Sequence, residues 1–137
     1  MRMCLDSSAL LKKYFQEIGS DEVQRNLENA SSLGLSILTV PEVLSGLSRR
    51  RREGRLSEAD YLEVNQRLIR DAAGAEKLHL TSDVLDTAID LLEQGTIRTL
   101  DAMHIACALQ WGAEKFLTAD ARQFESARRA GLNTVYI

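Results

Sequence analysis

Short apolar runs of three or four residues alternate along this chain with longer segments of helical periodicity. That alternation is the signature of an α/β fold with a mostly parallel sheet, because parallel strands are joined by helical crossovers and are apolar on both faces. Met3-Cys4-Leu5, Leu35-Ser36-Ile37-Leu38, Lys115-Phe116-Leu117 and Thr134-Val135-Tyr136 are the predicted strands, and Lys77-Leu78-His79-Leu80 is either a fifth strand or a connector. Helices are predicted over 7–16 and over 21–30 with Ser20 as N-cap. A third runs from the turn holding Pro41 to about Arg52, and a fourth from a Ser57 cap through Ala73, so that the two form an αα-hairpin. Two more follow: Ser82–Gln94 stopped by Gly95, and a core helix capped by Thr99 whose Ala102, Ile105, Ala106 and Leu109 recur at helical spacing. No repeat or linker interrupts the pattern, and 137 residues at 45% apolar content suffice for one core. The expected fold is therefore a single domain over 1–137, a small mostly parallel sheet sandwiched by helices.

In an open sheet of this kind, ligands bind beyond the C-terminal ends of the strands. This rule selects among the chain's twenty acids. Asp6 follows the first strand directly, Glu42 follows the second at a helix start, and Asp120 follows Lys115-Phe116-Leu117 after Thr118-Ala119. Asp101 lies in the first turn of the core helix, where the positive end of the helix dipole favours a carboxylate. Capping is the more ordinary role for Glu42 and Asp101 taken singly. Asp6 and Asp120 resist that reading, since a charge at the mouth of an apolar strand is costly without compensation. Carboxylates gathered at one edge repel one another unless a divalent cation neutralises them, and an all-oxygen donor set points to Mg²⁺ or Mn²⁺. Ser8 and Thr118 flank these acids, either to orient them or as cap and turn residues.

Cys4 and Cys107 stand far apart in apolar surroundings, which excludes a CxxC zinc site or a disulfide framework and fits reduced, buried thiols. The formal net charge of -3 excludes a uniformly basic nucleic-acid coat, so contact with a polyanion has to come from a local patch. Arg49-Arg50-Arg51-Arg52 with Arg55 is the candidate, for RNA phosphates or for an acidic protein partner; the same run also complements a helix C-terminus. No long apolar stretch or cleavage-site pattern follows Met1, so no membrane association is expected and the expected location is cytoplasmic.

Four segments together resemble the PIN-domain family and its VapC-like toxin branch: Leu5-Asp6-Ser7-Ser8-Ala9-Leu10, Thr39-Val40-Pro41-Glu42-Val43, Leu100-Asp101-Ala102-Met103-His104-Ile105-Ala106, and Leu117-Thr118-Ala119-Asp120 with Phe124. The resemblance implies a metal-dependent endoribonuclease, the toxin of a type II toxin–antitoxin pair, with Asp6, Glu42, Asp101 and Asp120 as its acidic quartet. It implies Ser8 and Thr118 as supporting hydroxyls; within the quartet we read Asp6 and Asp101 as holding the main Mg²⁺ or Mn²⁺, Asp120 as completing that site or supporting it from the outer shell, and Glu42 as positioning or deprotonating the attacking water. It also implies RNA as substrate, a small antitoxin protein as partner, and a homodimer. Asp120-Ala121-Arg122-Gln123 departs from relatives that carry a further acid or amide there, which leaves a second metal site unsupported. The alternative is an inactive PIN-like module that binds RNA or protein.

Two further expectations follow from the residues. His79 and His104 are the only histidines, and neither has a partner suggesting a histidine-based ribonuclease; His104, one turn beyond Asp101, is expected to pack beside the site. Leu10, Leu11, Tyr14, Phe15 and Ile18 exceed what one narrow helix stripe needs, so part of that surface is expected to meet a partner.

Overall fold

The structure, a computed structural model, describes residues 1–137. Five strands, β1 (Arg2–Leu5), β2 (Ser32–Ser36), β3 (Glu76–Leu78), β4 (Lys115–Thr118) and β5 (Thr134–Tyr136), form one sheet in the order β3-β2-β1-β4-β5. Every pairing is parallel. Seven helices join them: α1 (Ser7–Lys12), α2 (Ser20–Glu28), α3 (Thr39–Arg52), α4 (Glu58–Gly74), α5 (Ser82–Gln94), α6 (Thr99–Trp111) and α7 (Ala121–Arg129).

Strand alternation divides the core into two layers. Met3, Leu5, Leu35 and Leu117 face a cluster built with α1 to α4, while Cys4 and Phe116 face a second built with α5, α6 and α7. Sandwiching by helices is thus the consequence of strands buried on both faces. Both cysteines are buried and unbonded to each other. Burial pushes the Cys107 thiol up and the Cys4 thiol further up, so both remain protonated core residues.

The order places a topological switch between β1 and β4: the chain steps outward from β1 to β2 and β3, then returns to the other side of β1. Backbone pairing runs one residue past β1 there, since the Asp6 amide donates to the Leu117 carbonyl at 3.1 Å. The loops after β1 and β4 are therefore neighbours, and a crevice opens beyond them.

Several boundaries differ from the sequence reading. The second strand begins at Ser32 and ends at Ser36, earlier than the apolar run 35–38, because its pairing with β1 starts at Ser32 and that with β3 ends at Ser36; Gly34 within it admits the Trp111 ring, where a Cβ would lie 2.7 Å from the indole. The first helix stops at Lys12 rather than near residue 16. Ser20 does not cap; Gly19, at φ +94°, is the N-cap of α2, and the Ser20 hydroxyl instead accepts from the Glu17 amide and donates to the Phe15 carbonyl. Thr99 does not cap either, being the first helical residue after Arg98. The uncertain segment near Lys77 is a strand, β3, and α7 is a helix the apolar periodicity had not announced. Of the supposed apolar surplus near the N-terminus, Leu10 and Tyr14 are buried, Leu11 and Phe15 pack against the core, and Ile18 alone stands exposed.

Candidate active site

Asp6, Ser7, Ser8, Glu42, Arg49, Arg98, Asp101, His104 and Asp120 line one open cleft of about 230 Å³ at the switch point. All four acids selected by strand ends and helix starts are thereby brought to one place. Their roles in local structure are the reverse of the sequence expectation. Asp6 and Asp120 are the caps, and Glu42 and Asp101 are not.

Asp6 ends β1 in extended backbone and caps α1, its Oδ1 accepting from the Ala9 amide at 2.9 Å and from the Ser8 hydroxyl at 2.7 Å. The Thr118 hydroxyl donates to its Oδ2 and accepts from the Asp120 amide at 3.0 Å. Ser8 closes the same loop by accepting from the Ala119 amide at 2.9 Å. Ser8 and Thr118 thus tie the ends of β1 and β4 together through Asp6, an orienting function that two residues 110 apart in sequence acquire only in the fold. Asp6 is only 5% exposed. Burial raises its pKa, and the hydrogen bonds from Thr118, Ser8 and Ala9 with the charge of His104 offset that only in part. The carboxylate is therefore in want of positive charge beyond what the protein provides.

Asp120 caps α7, its Oδ1 accepting from the Arg122 and Gln123 amides at 2.8 and 3.1 Å, which leaves Oδ2 toward the cleft. Gln123 also donates from its buried amide to the Asp101 carbonyl at 3.1 Å, fixing α7 against the start of α6. Glu42, in the first turn of α3, accepts from the Ser7 hydroxyl at 2.8 Å and pairs with Nε2 of the buried His104. Burial acts to raise its pKa, but the hydrogen bond and charge of His104, with Ser7 and Arg98, outweigh it and hold Glu42 below the usual carboxylate range. His104 is thus a fixed partner of an acid 62 residues away, while His79 is exposed and outside the cleft.

Sequence reasoning missed Arg98. Its Nε donates to Asp101 Oδ2 at 2.9 Å and its Nη2 to Asp120 Oδ2 at 3.4 Å. Those bonds and charges raise the guanidinium pKa further above its ordinary value, the Asp101 hydrogen bond foremost. The only sequence signal was the spacing of three from Asp101, which brings the two side chains to one helix face. Ser7, next to Asp6, and Gln123, three residues after the Asp120 cap, were passed over for the same reason.

The arginine run divides. Arg50 lies over the Phe15 ring and pairs with Glu17, Arg51 lies over Tyr61 and pairs with Glu58, and Arg55 pairs with Glu53. Arg52 is exposed and outside the cleft. Arg49 alone lines the cleft, and it has no acidic partner.

The donor set suits a hard divalent cation: carboxylate oxygens with no thiolate among them. Arg98 is a cation already standing between two of them, which marks where positive charge is needed. The acids do not form a closed ligand cage as they stand.

The PIN-domain model matches residues 3–130. The chain belongs to the PIN-domain family. This PIN domain is 32% identical to Ribonuclease VapC46 of Mycobacterium tuberculosis, over 96% of its own length and 94% of the relative's. Its fold is that of the Mycobacterium tuberculosis VapC20, described as a toxin cleaving the sarcin–ricin loop, with a TM-score of 0.71 at 16% identity and 98% of each chain covered. A toxin–antitoxin complex from Klebsiella pneumoniae contains a similar chain, with a TM-score of 0.69 at 18% identity, covering 97% of this PIN domain and 95% of that chain.

Proposed function

We propose that this protein is a metal-dependent endoribonuclease and the toxin of a toxin–antitoxin pair, with Asp6, Glu42, Asp101 and Asp120 as its working acids. The observation that carries the reading is the convergence of all four in one cleft at the switch point of the sheet. Kinship with Ribonuclease VapC46 supports the substrate class, and the Klebsiella pneumoniae complex supports the partner.

Asp6, Asp101 and Asp120 are the residues we assign to Mg²⁺ or Mn²⁺. When bound, such a cation supplies Lewis-acid polarisation of the phosphodiester and acidifies water. Glu42 is the residue for orienting the attacking water or taking its proton, because Ser7 and His104 hold its carboxylate in one direction and keep it ionised. Ser8 and Thr118 keep Asp6 turned into the cleft. Arg49 is the residue for the RNA backbone beside the scissile bond, supplying charge and orientation.

No helix of the chain is long and apolar enough to cross a membrane. A cytoplasmic setting, a homodimer and a small antitoxin complete the proposal.

The test is the chemistry of the product ends. With water as nucleophile the 2′-hydroxyl is a spectator, so cleavage of an RNA pool should leave 5′-phosphate and 3′-hydroxyl ends, stop in EDTA and resume with Mg²⁺ or Mn²⁺. Cyclic-phosphate ends produced in EDTA by a nuclease-free preparation would overturn it, and absence of any cleavage would favour an inactive binding module.

A further inference from the structure

Arg98 occupies an odd position for a cation. It is the N-cap of α6, where the helix dipole is positive, and its side chain makes no capping bond. Nothing about the helix favours a guanidinium there. The side chain is two-thirds exposed and its only ion-pair partners are Asp101 and Asp120, whose side chains are 17% and 34% exposed. The acids alone therefore hold it, by contacts short enough to neutralise them and exposed enough to break.

We propose that Arg98 is an internal placeholder for the divalent cation: it neutralises Asp101 and Asp120 while the site is empty and competes with the cation for those same oxygens. The inference rests on the proposed role of the acid cleft. Two consequences follow from the geometry. Without Arg98, Asp101 and Asp120 would face each other's charge with no paired counterion in the cleft they share with Asp6. With Arg98, the cation has to displace two guanidinium contacts, so affinity is lower than Asp6, Asp101 and Asp120 would otherwise confer.

The guanidinium leaves without opening the fold, since its side chain is two-thirds exposed and its hydrogen bonds go to Asp101 and Asp120 alone. A residue of purely structural value would behave differently: removing it would weaken the cleft and cation binding together. Competition predicts tighter cation binding while stability in the metal-free state stays level or falls.

The test is calorimetric titration of the metal-free protein with MnCl₂ for the wild type, R98A and R98K, with thermal melts of each in EDTA. Exposed ion pairs of this type correspond to a few-fold effect each, so R98A should bind Mn²⁺ about three- to tenfold more tightly than the wild type. R98K, keeping the charge but not the two-pronged reach, should fall between them, and R98A in EDTA should melt at or below the wild-type temperature. Equal or weaker Mn²⁺ binding by R98A, with circular dichroism showing a folded protein and the wild type binding normally, would overturn the placeholder role and leave the acid-site reading intact. Binding by neither protein at millimolar Mn²⁺ would overturn both.

Discussion

Asp6 combines two duties that can be separated by substitution. It caps α1 and anchors the Ser8 and Thr118 hydroxyls, which requires oxygen acceptors, and it presents a buried negative charge, which only a carboxylate provides. In Asp6→Asn the remaining carbonyl oxygen can still accept from Ala9 and Ser8. The new amide would donate to Thr118, whose hydroxyl can turn toward Ser8 at 3.3 Å. Because burial raises the Asp6 pKa, removing the charge also relieves a desolvation cost. The metal-free stability of Asp6→Asn should therefore lie within about 1 kcal/mol of the wild type. Asp6→Ala loses the cap, worth about 1 kcal/mol, and strands a buried hydroxyl at a further 1–3 kcal/mol or so. Together these lower the melting temperature in EDTA by roughly 10 °C for a domain of this size. Both variants should lose RNA cleavage. Thermal melts in EDTA beside a cleavage assay decide the matter: an Asp6→Asn protein that melts as low as Asp6→Ala would mean that the charge itself is structural, and the separation argued here would be wrong.

Arg49→Ala should weaken RNA binding about equally across sequences and lower the slope of log affinity against log salt by about one, whereas Arg51→Ala, which loses its Tyr61 and Glu58 contacts, should change that slope little; filter binding over a salt series distinguishes them. His104→Ala should depress cleavage strongly by releasing Glu42, and His79→Ala should leave it near wild type; equal loss in both would contradict the assignment of His104 to Glu42. Gly34→Ala would set a Cβ 2.7 Å from the Trp111 ring and should cost about 1–3 kcal/mol, read as a lower urea midpoint and a shifted tryptophan emission; an unchanged protein would show that Trp111 does not seat on β2.

Much of the fold was legible in local pattern. Short apolar runs named β1, β4 and the half-buried edge strand β5, and turn chemistry delimited α3, α4 and α5, with Ser57 capping as expected by accepting from the Asp60 amide at 3.1 Å. Thr81, for which no cap was predicted, caps α5 by accepting from the Val84 amide at 3.2 Å. Where apolar periodicity failed, strand pairing or turn and cap hydrogen bonds decided. Gly34 is a strand residue because β1 and β3 pair with it on either side, and Trp111 seated over it leaves no room for a side chain, whereas Ser20 spends its hydroxyl on the turn before α2 because Phe15 and Glu17 fold back onto it. The amphipathic α7 owes its start to Asp120, a residue weighed for its charge rather than as a cap.

The acids themselves could be chosen from the sequence, because strand ends in a parallel sheet converge on one edge whatever the side chains are. What each acid does there could not. The division into two capping acids and two that turn wholly to the cleft depends on which backbone amides lie within reach, and that is set by loop conformation. The pairing of Glu42 with His104 spans 62 residues and requires α3 and α6 to meet across the sheet edge. Arg98 reads in the sequence as an ordinary surface arginine, since its i,i+3 relation to Asp101 is common on helices and its reach to Asp120 spans 22 residues. Composition and periodicity are properties of neighbours along the chain, and they determined the layers and the edge where chemistry could gather; charge compensation acts through space, so only the tertiary structure decided which cation answers which acid.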